Sequence, residues 1–219
     1  MAEGRLDPRA QEIAALARRA GVPVFRNKPA ALSRLAPGLH HQGIVAEVSP
    51  VGLLSLEELL ARIPSPSLLV ALDQIRDPRN FGAIARSVDG AGGQGIVVHE
   101  RGQAPPSPAA VTASAGALLH LPLARVTNLA EALRLLKDRG IWAVGLAPSA
   151  SLAWYQFDFR QPVVIVVGSE DRGLRPRVAG MCDVLVSLPQ LGRVSSLNVS
   201  VAAGAVLYEA VRQRQARRG

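Results

Sequence analysis

The sequence predicts an α/β fold, a mostly parallel sheet with helices on both faces. Three observations carry that expectation. Strand-like and helix-like patterns alternate from residue 68 onward. The run Val163-Val164-Ile165-Val166-Val167 is continuously apolar and β-branched, as a strand buried on both faces requires. Several apolar runs lead into polar, glycine-bearing loops, which is where α/β proteins place ligands.

In chain order, residues 11–20 read as a helix with Ile13, Leu16 and Ala17 on one side. Residues 43–48 read as a strand and residues 56–62 as a short helix. Ile63-Pro64-Ser65-Pro66-Ser67 reads as a linker, because two prolines forbid a regular helix there. The expected organisation is a front domain over 1–62, a linker over 63–67 and a larger domain over 68–219. In the larger domain the strand candidates are 68–72, 95–98, 141–146, 163–167 and 184–188. The helix candidates are 80–91, 108–117, 128–139, 174–180 and 199–214. Gly90-Ala91-Gly92-Gly93-Gln94-Gly95 satisfies the spacing of a dinucleotide fingerprint, but it follows a helix and precedes a strand. It therefore reads as a helix end and a turn.

Of 219 residues, 48% are hydrophobic, enough for a substantial core. The net charge is +8, and only two of the 25 basic residues are lysine, Lys28 and Lys137. Arginine grips phosphate bidentately and stacks on bases, so this balance favours a nucleic-acid partner. Cys182 is the only cysteine, which excludes an intrachain disulfide and a thiolate metal cage. It reads as a small buried hydrophobe. The histidines, His40, His41, His99 and His120, lack metal-ligand spacing, so no metal is expected. No apolar run approaches a membrane span, and the N-terminus lacks the apolar region of a signal peptide. The expectation is a soluble cytoplasmic protein with no membrane partner.

Three segments stand out. Residues 68–72 lead into Asp73-Gln74-Ile75-Arg76-Asp77-Pro78-Arg79-Asn80-Phe81-Gly82, where Pro78 and Asn80 open a helix that carries Arg86. Residues 163–167 lead into Gly168-Ser169-Glu170-Asp171-Arg172-Gly173-Leu174. Residues 184–188 lead through Pro189 and Gly192 into Ser195-Ser196-Leu197-Asn198. A helix of small residues then begins with Val201-Ala202-Ala203-Gly204-Ala205. Together these segments resemble the signature motifs of the SpoU/TrmH family of SPOUT methyltransferases. Asn80, Gly82 and Arg86 match the first motif. Gly168-Ser169-Glu170 and Gly173-Leu174 match the second, and Pro189, Gly192 and Ser196 to Ala202 match the third. The resemblance covers about residues 67 to 214. Gln190 departs from it, standing where the family often has an apolar residue, and is expected to lie away from the chemistry.

The resemblance implies a C-terminal trefoil knot and S-adenosylmethionine as methyl donor. It also implies a ribose 2′-hydroxyl of RNA as acceptor and a homodimer with its site at a two-fold interface. It assigns the cofactor cradle to Leu146, Ala147, Gly168, Ser169, Leu188 and Leu197. Arg86 matches the arginine that serves the acceptor hydroxyl. Because guanidinium does not lose its proton at ordinary pH, charge stabilisation suits it better than a general-base role. Glu170 orients RNA or pairs with Arg86. Asn80 is either a helix cap or a member of the site, and Ser196 and Asn198 orient the third loop.

His41-Gln42-Gly43 and the run after it resemble a ribosomal-protein-like RNA-binding domain, typical of the branch that methylates a guanosine of 23S rRNA. That favours ribosomal over transfer RNA. The front domain is expected to be incomplete, since Met1-Ala2-Glu3-Gly4-Arg5 matches a loop inside that domain. A tRNA ribose methyltransferase remains an alternative, supported by the basic tail Arg212-Gln213-Arg214-Gln215-Ala216-Arg217-Arg218. A non-catalytic RNA-binding protein on the same fold is the second alternative.

Overall fold

A computed structural model describes Met1, residues 7–194 and residues 196–216. The elements are α1 (Pro8–Arg19), α2 (Pro29–Leu35), β1 (Leu53–Leu54), α3 (Leu56–Arg62), β2 (Leu68–Asp73), α4 (Pro78–Gly90), β3 (Gly95–His99) and α5 (Pro108–Ala113). They continue with β4 (Leu123–Val126), α6 (Leu129–Asp138), β5 (Trp142–Leu146), β6 (Leu152–Ala153), β7 (Val163–Gly168), α7 (Pro176–Ala179), β8 (Val184–Ser187) and α8 (Val199–Gln215). The chain divides into two compact units, Met1–Pro50 and Val51–Gly219. The division falls earlier than residue 62 because Leu56 and Leu59 of α3 are buried with Leu69, Val97 and Ala124 of the larger unit.

In the smaller unit, Asp7 caps α1 by accepting from the Ala10 N–H at 2.8 Å, and Pro8 takes the first helical position. The buried face of α1 is Ala10 and Ala14, packed with Met1, Val24 and Ile44. Ile13 and Leu16, the face read from the sequence, are exposed. Helix α2 was not legible: it is short and Lys28 supplies no side-chain cap. The expected strand over 43–48 is absent. That stretch has no ladder partner among the described residues, and its C-terminal half is exposed on both sides.

The larger unit is built on one eight-stranded sheet in the order β1-β4-β3-β2-β7-β5-β8-β6, with every pairing parallel. Side chains alternate across it. Leu68, Val70, Leu72, Ile165 and Val167 face a core shared with α4 and α8. Leu69, Ala71, Val164 and Val166 face the core shared with α3 and α6. Burial on both faces explains why β2 and β7 read as unbroken apolar runs. Each fully buried Leu, Ile or Val contributes about 1.5–3 kcal/mol over leaving it exposed. The short strands β1, β4 and β6 escaped the sequence because they lack such runs. The glycine-rich stretch after α4 is a helix end and turn, and β3 begins at Gly95. Among the described residues no helix is long and apolar enough to cross a membrane.

Two features position the site. From β2 the chain moves through β3 and β4 to one side of the sheet, while β7, β5 and β8 lie on the other. The strand order therefore reverses between β2 and β7, and ligands bind outside the carboxyl ends of strands at such a switch point. From β8 the chain returns across the sheet, so that α8 packs on α4 and β7.

Candidate active site

Loops from the carboxyl ends of β2, β5, β7 and β8 meet at this edge. The loop after β7 folds back on itself. The Ser169 N–H donates to the Gly173 carbonyl (3.1 Å), and the Gly173 N–H donates to the Ser169 carbonyl (2.8 Å). Gly173 has a φ of +63°, a conformation that favours glycine. A Cβ at Gly168 would collide with the Gly173 carbonyl and the Leu174 amide. Only a bare backbone at Gly168 lets the loop lie this close to the strand.

The far end of that loop is anchored by a buried charge. Asp73, at the end of β2, has a side chain wholly shielded from solvent. It accepts from the Arg175 backbone N–H at 2.8 Å and from Arg175 Nε at 2.7 Å. A carboxylate in such a position needs its partner. The pair ties β2 to the start of α7 and so fixes both ends of the loop.

The third loop ends at Asn198, whose side chain has two tasks. Its Oδ1 caps α8, accepting from the N–H groups of Ser200 (2.9 Å) and Val201 (3.4 Å) and from Ser200 Oγ (2.6 Å). Its Nδ2 donates to Asn80 Oδ1 (3.0 Å) and to Glu170 Oε1 (2.8 Å). Asn80 Nδ2 also donates to Glu170 Oε1 (2.8 Å). Asn80, Glu170 and Asn198, each from a different segment, thus close a ring of amide and carboxylate bonds. Charge-assisted bonds to one carboxylate oxygen fix both amides.

Two cavities flank this ring. The first, about 290 Å³, is lined by Leu146, Ala147, Gly168, Ser169, Leu188 and Leu197, with Ser196, Val186 and Ala202 among the others. The structure therefore gathers all six expected cradle residues around one space. Gln190, expected away from the chemistry, also lines it, folded back so that its Nε2 donates to the Leu188 carbonyl. The second cavity, about 280 Å³, is lined by Gln74, Ile75, Arg76, Asp77 and Asn80. The two share Ser169, Glu170, Asp171, Arg172 and Val199 as a common wall.

The remaining expectations fall out unevenly. Asn80 does not cap α4. Asp77 does, accepting from the Arg79 N–H at 2.8 Å, and Asn80 is buried in the ring. The Arg79 backbone N–H and guanidinium hold the Asp77 carboxyl below its usual range. Glu170 bonds the two asparagines rather than Arg86. Arg86 is exposed, lines neither cavity, and has no ion-pair or hydrogen-bond partner among the described residues. Six helical positions beyond Asn80, it lies about 9 Å along α4 and about 240° around it. Ser195, Arg217 and Arg218 lie outside the described residues, as do residues 2–6. Sequence reasoning missed Asp73, Arg175, Arg76 and Arg172. The available signal was the polar residue that ends β2, Asp73, whose partner shows only once β2 and β7 are known to be neighbours.

Cys182 is half-buried, and burial pushes its thiol up to about 12, in keeping with an inert packing role. Among the described residues, no group of three or more His, Cys, Asp or Glu could hold a metal ion.

Comparison with known proteins places this geometry. The family model described as SpoU rRNA Methylase family matches residues 67–208. The chain belongs to that family. A second model, RNA 2'-O ribose methyltransferase substrate binding, matches residues 1–53. The chain is 44% identical to the 23S rRNA (guanosine-2'-O-)-methyltransferase RlmB of Pseudomonas putida, over 100% of this chain and 89% of that protein. Among solved structures it is similar to the SpoU methyltransferase AviRb from Streptomyces viridochromogenes in complex with the cofactor AdoMet. That match has a TM-score of 0.78 at 30% identity and covers 98% of this chain and 81% of the other. The A. aeolicus TrmH/SpoU tRNA modifying enzyme matches with a TM-score of 0.64 at 30% identity, over 74% of this chain and 83% of its own. The all-parallel sheet with its returning C-terminal helix is the SpoU/SPOUT methyltransferase fold.

Proposed function

We propose that this chain transfers a methyl group from S-adenosylmethionine to a ribose 2′-hydroxyl of RNA, with a guanosine of 23S rRNA as the acceptor. The carrying observation is the first cavity beside the Asn80–Glu170–Asn198 ring, in a family member whose relatives named for that reaction match along the whole chain. Ribosomal RNA is favoured over transfer RNA because the tRNA-modifying neighbour matches only part of the chain. A ribosomal acceptor supports a cytoplasmic location. The unit Met1–Pro50 serves as the RNA-binding part, in line with the substrate-binding family model over residues 1–53.

The first cavity suits the donor. Its apolar walls at Leu146, Leu188 and Leu197 fit an adenine face and the donor's methylene groups. The Gly168 backbone, which no Cβ can cover, leaves peptide groups open to polar edges. S-adenosylmethionine supplies a methyl group on a positively charged sulfur, already an excellent leaving group. The protein's part is therefore mostly positioning. Glu170 locks the amides of Asn80 and Asn198 at the wall between the cavities, where an acceptor oxygen must stand. Ser196, exposed at the rim of the first cavity, orients the third loop.

Arg86 stabilises the alkoxide that develops on the acceptor. Since it lines neither cavity of its own chain, it acts from the partner in a homodimer. Support comes from exposed apolar residues on α8 and the segment before it: Val201 and Tyr208 share one face of α8, and Leu191, Val194 and Leu197 precede it in the chain.

The test is transfer from radiolabelled S-adenosylmethionine to 23S rRNA, followed by mapping of the modified nucleotide. A single 2′-O-methylguanosine is expected. Methylation of a base, or transfer to tRNA alone, would overturn the assignment.

A further inference from the structure

The second cavity has no ligand assigned to it by the reading above. We propose that it holds the acceptor nucleotide, with Arg76 and Arg172 gripping the phosphates that flank the reacting ribose. The inference rests on the proposed function and names the part of the chain that presents the acceptor.

Position is the first argument. The cavity adjoins the donor cavity across Ser169–Arg172 and Val199, and Asn80 and Glu170 of the ring line it. An acceptor hydroxyl must approach the methyl group from the side not filled by the donor. This is the adjoining space.

Charge is the second. Arginines around the switch point divide into two sets. Arg79 pairs with Asp77, and Arg175 pairs with buried Asp73. Arg76 and Arg172 are exposed, line the cavity, and have no side-chain partner among the described residues. They come from different loops, after β2 and after β7, so they face the cavity from two sides. Guanidinium groups left unpaired at a polar cavity suit bidentate contact with phosphate oxygens.

The acids in the cavity set the limits on what fits. Asp77 is held by Arg79, and Glu170 is committed to two amides. Asp171 is exposed and has no side-chain partner among the described residues. A free multivalent anion would meet that carboxylate, whereas a nucleotide places its phosphates on the arginines and donor-rich base edges near the acid. Gln74 lines the same space with a φ of +65°, a strained value for a residue with a side chain, and such strain clusters at functional sites.

The experiment measures affinity for in-vitro-transcribed 23S rRNA at several salt concentrations. S-adenosylhomocysteine is present, so that binding is read without turnover. The proteins are wild type, Arg76→Ala, Arg172→Ala, the double variant and Arg139→Ala. Arg139 is an exposed arginine between α6 and β5, at the opposite end of the strands. Each site variant is expected to bind RNA about tenfold more weakly and to lower the salt slope by about one, as loss of one phosphate contact requires. Affinity for S-adenosylhomocysteine should match wild type in Arg76→Ala, because Arg76 lines the second cavity and not the first, the melting temperature should hold in every variant, and Arg139→Ala should change nothing. RNA affinity and salt slope unchanged in the double variant would overturn the inference while leaving the methyltransferase reading intact. Donor affinity falling in step with RNA affinity in Arg76→Ala would also overturn it. Absence of methyl transfer by wild type would instead break the proposed function itself.

Discussion

The two cavities differ more than their similar volumes suggest. The first is walled by leucines and exposed backbone, and every residue expected to form it comes from the end of a strand or the loop that follows it. The second is walled by Gln74, Arg76, Asp77 and Asn80, with charged side chains at its mouth. One surface suits a ligand of fixed shape, the other a polyanion held at its phosphates. Their common wall includes Glu170, which holds the amides of Asn80 and Asn198, so donor and acceptor are separated by a group that orients them.

That separation is open to attack residue by residue, beginning with the largest expected effect. Arg86→Ala should lower the single-turnover rate by about 10²–10³, the cost of removing one group that stabilises a developing oxyanion. Affinity for S-adenosylmethionine, read by calorimetry, should stay within a few-fold. Loss of donor binding would erase the distinction between the two sides.

Gly168→Ala addresses the donor side alone. Its Cβ would strike the Gly173 carbonyl, and overpacking of about 1–3 kcal/mol corresponds to a donor affinity about ten- to a hundredfold weaker. RNA affinity should not move. If RNA affinity falls equally, the loop serves both cavities as one body.

Asn198→Ala should damage both sides modestly. Loss of the α8 cap costs about 1 kcal/mol of stability, visible as a lower melting temperature. Loss of the ring bonds should weaken donor binding and turnover together. A variant with normal turnover would show the ring to be structural only.

Smallest is the effect of thiol alkylation at pH 8. With the Cys182 thiol pushed up to about 12, almost none of it is thiolate at that pH, and the native enzyme should resist iodoacetamide. Reactivity should rise only as pH approaches 12 or the chain unfolds. Since a Cβ at Gly145 would meet Cys182 Sγ behind the donor cavity, the same assay reports whether a site variant has kept its fold. Rapid labelling of the native wild type would contradict the packing described.

Legibility followed the same divide. β2, β5 and β7 were readable within a residue or two because burial on both faces writes an apolar run, and the half-buried β8 was readable from its own run Val184-Leu185-Val186. The donor cradle followed, since its residues sit where those runs end. The short strands β1, β4 and β6 and the unit Met1–Pro50 were poorly readable. Small alanines at 10 and 14, not the larger Ile13 and Leu16, form the core of α1. Arg76 and Arg172 were visible only as charge. What distinguishes them from Arg79 and Arg175 is that, among the described residues, no carboxylate pairs with them, and pairing between β2 and β7 loops depends on a crossover that no local pattern records.

The central claim is that donor and acceptor occupy different cavities joined at the ring. A crystal structure with S-adenosylhomocysteine tests it most directly. The ligand is expected against Leu146, Gly168, Leu188 and Leu197, leaving the space between Arg76 and Arg172 open. A ligand seated among Gln74, Arg76 and Asp77 instead would contradict it.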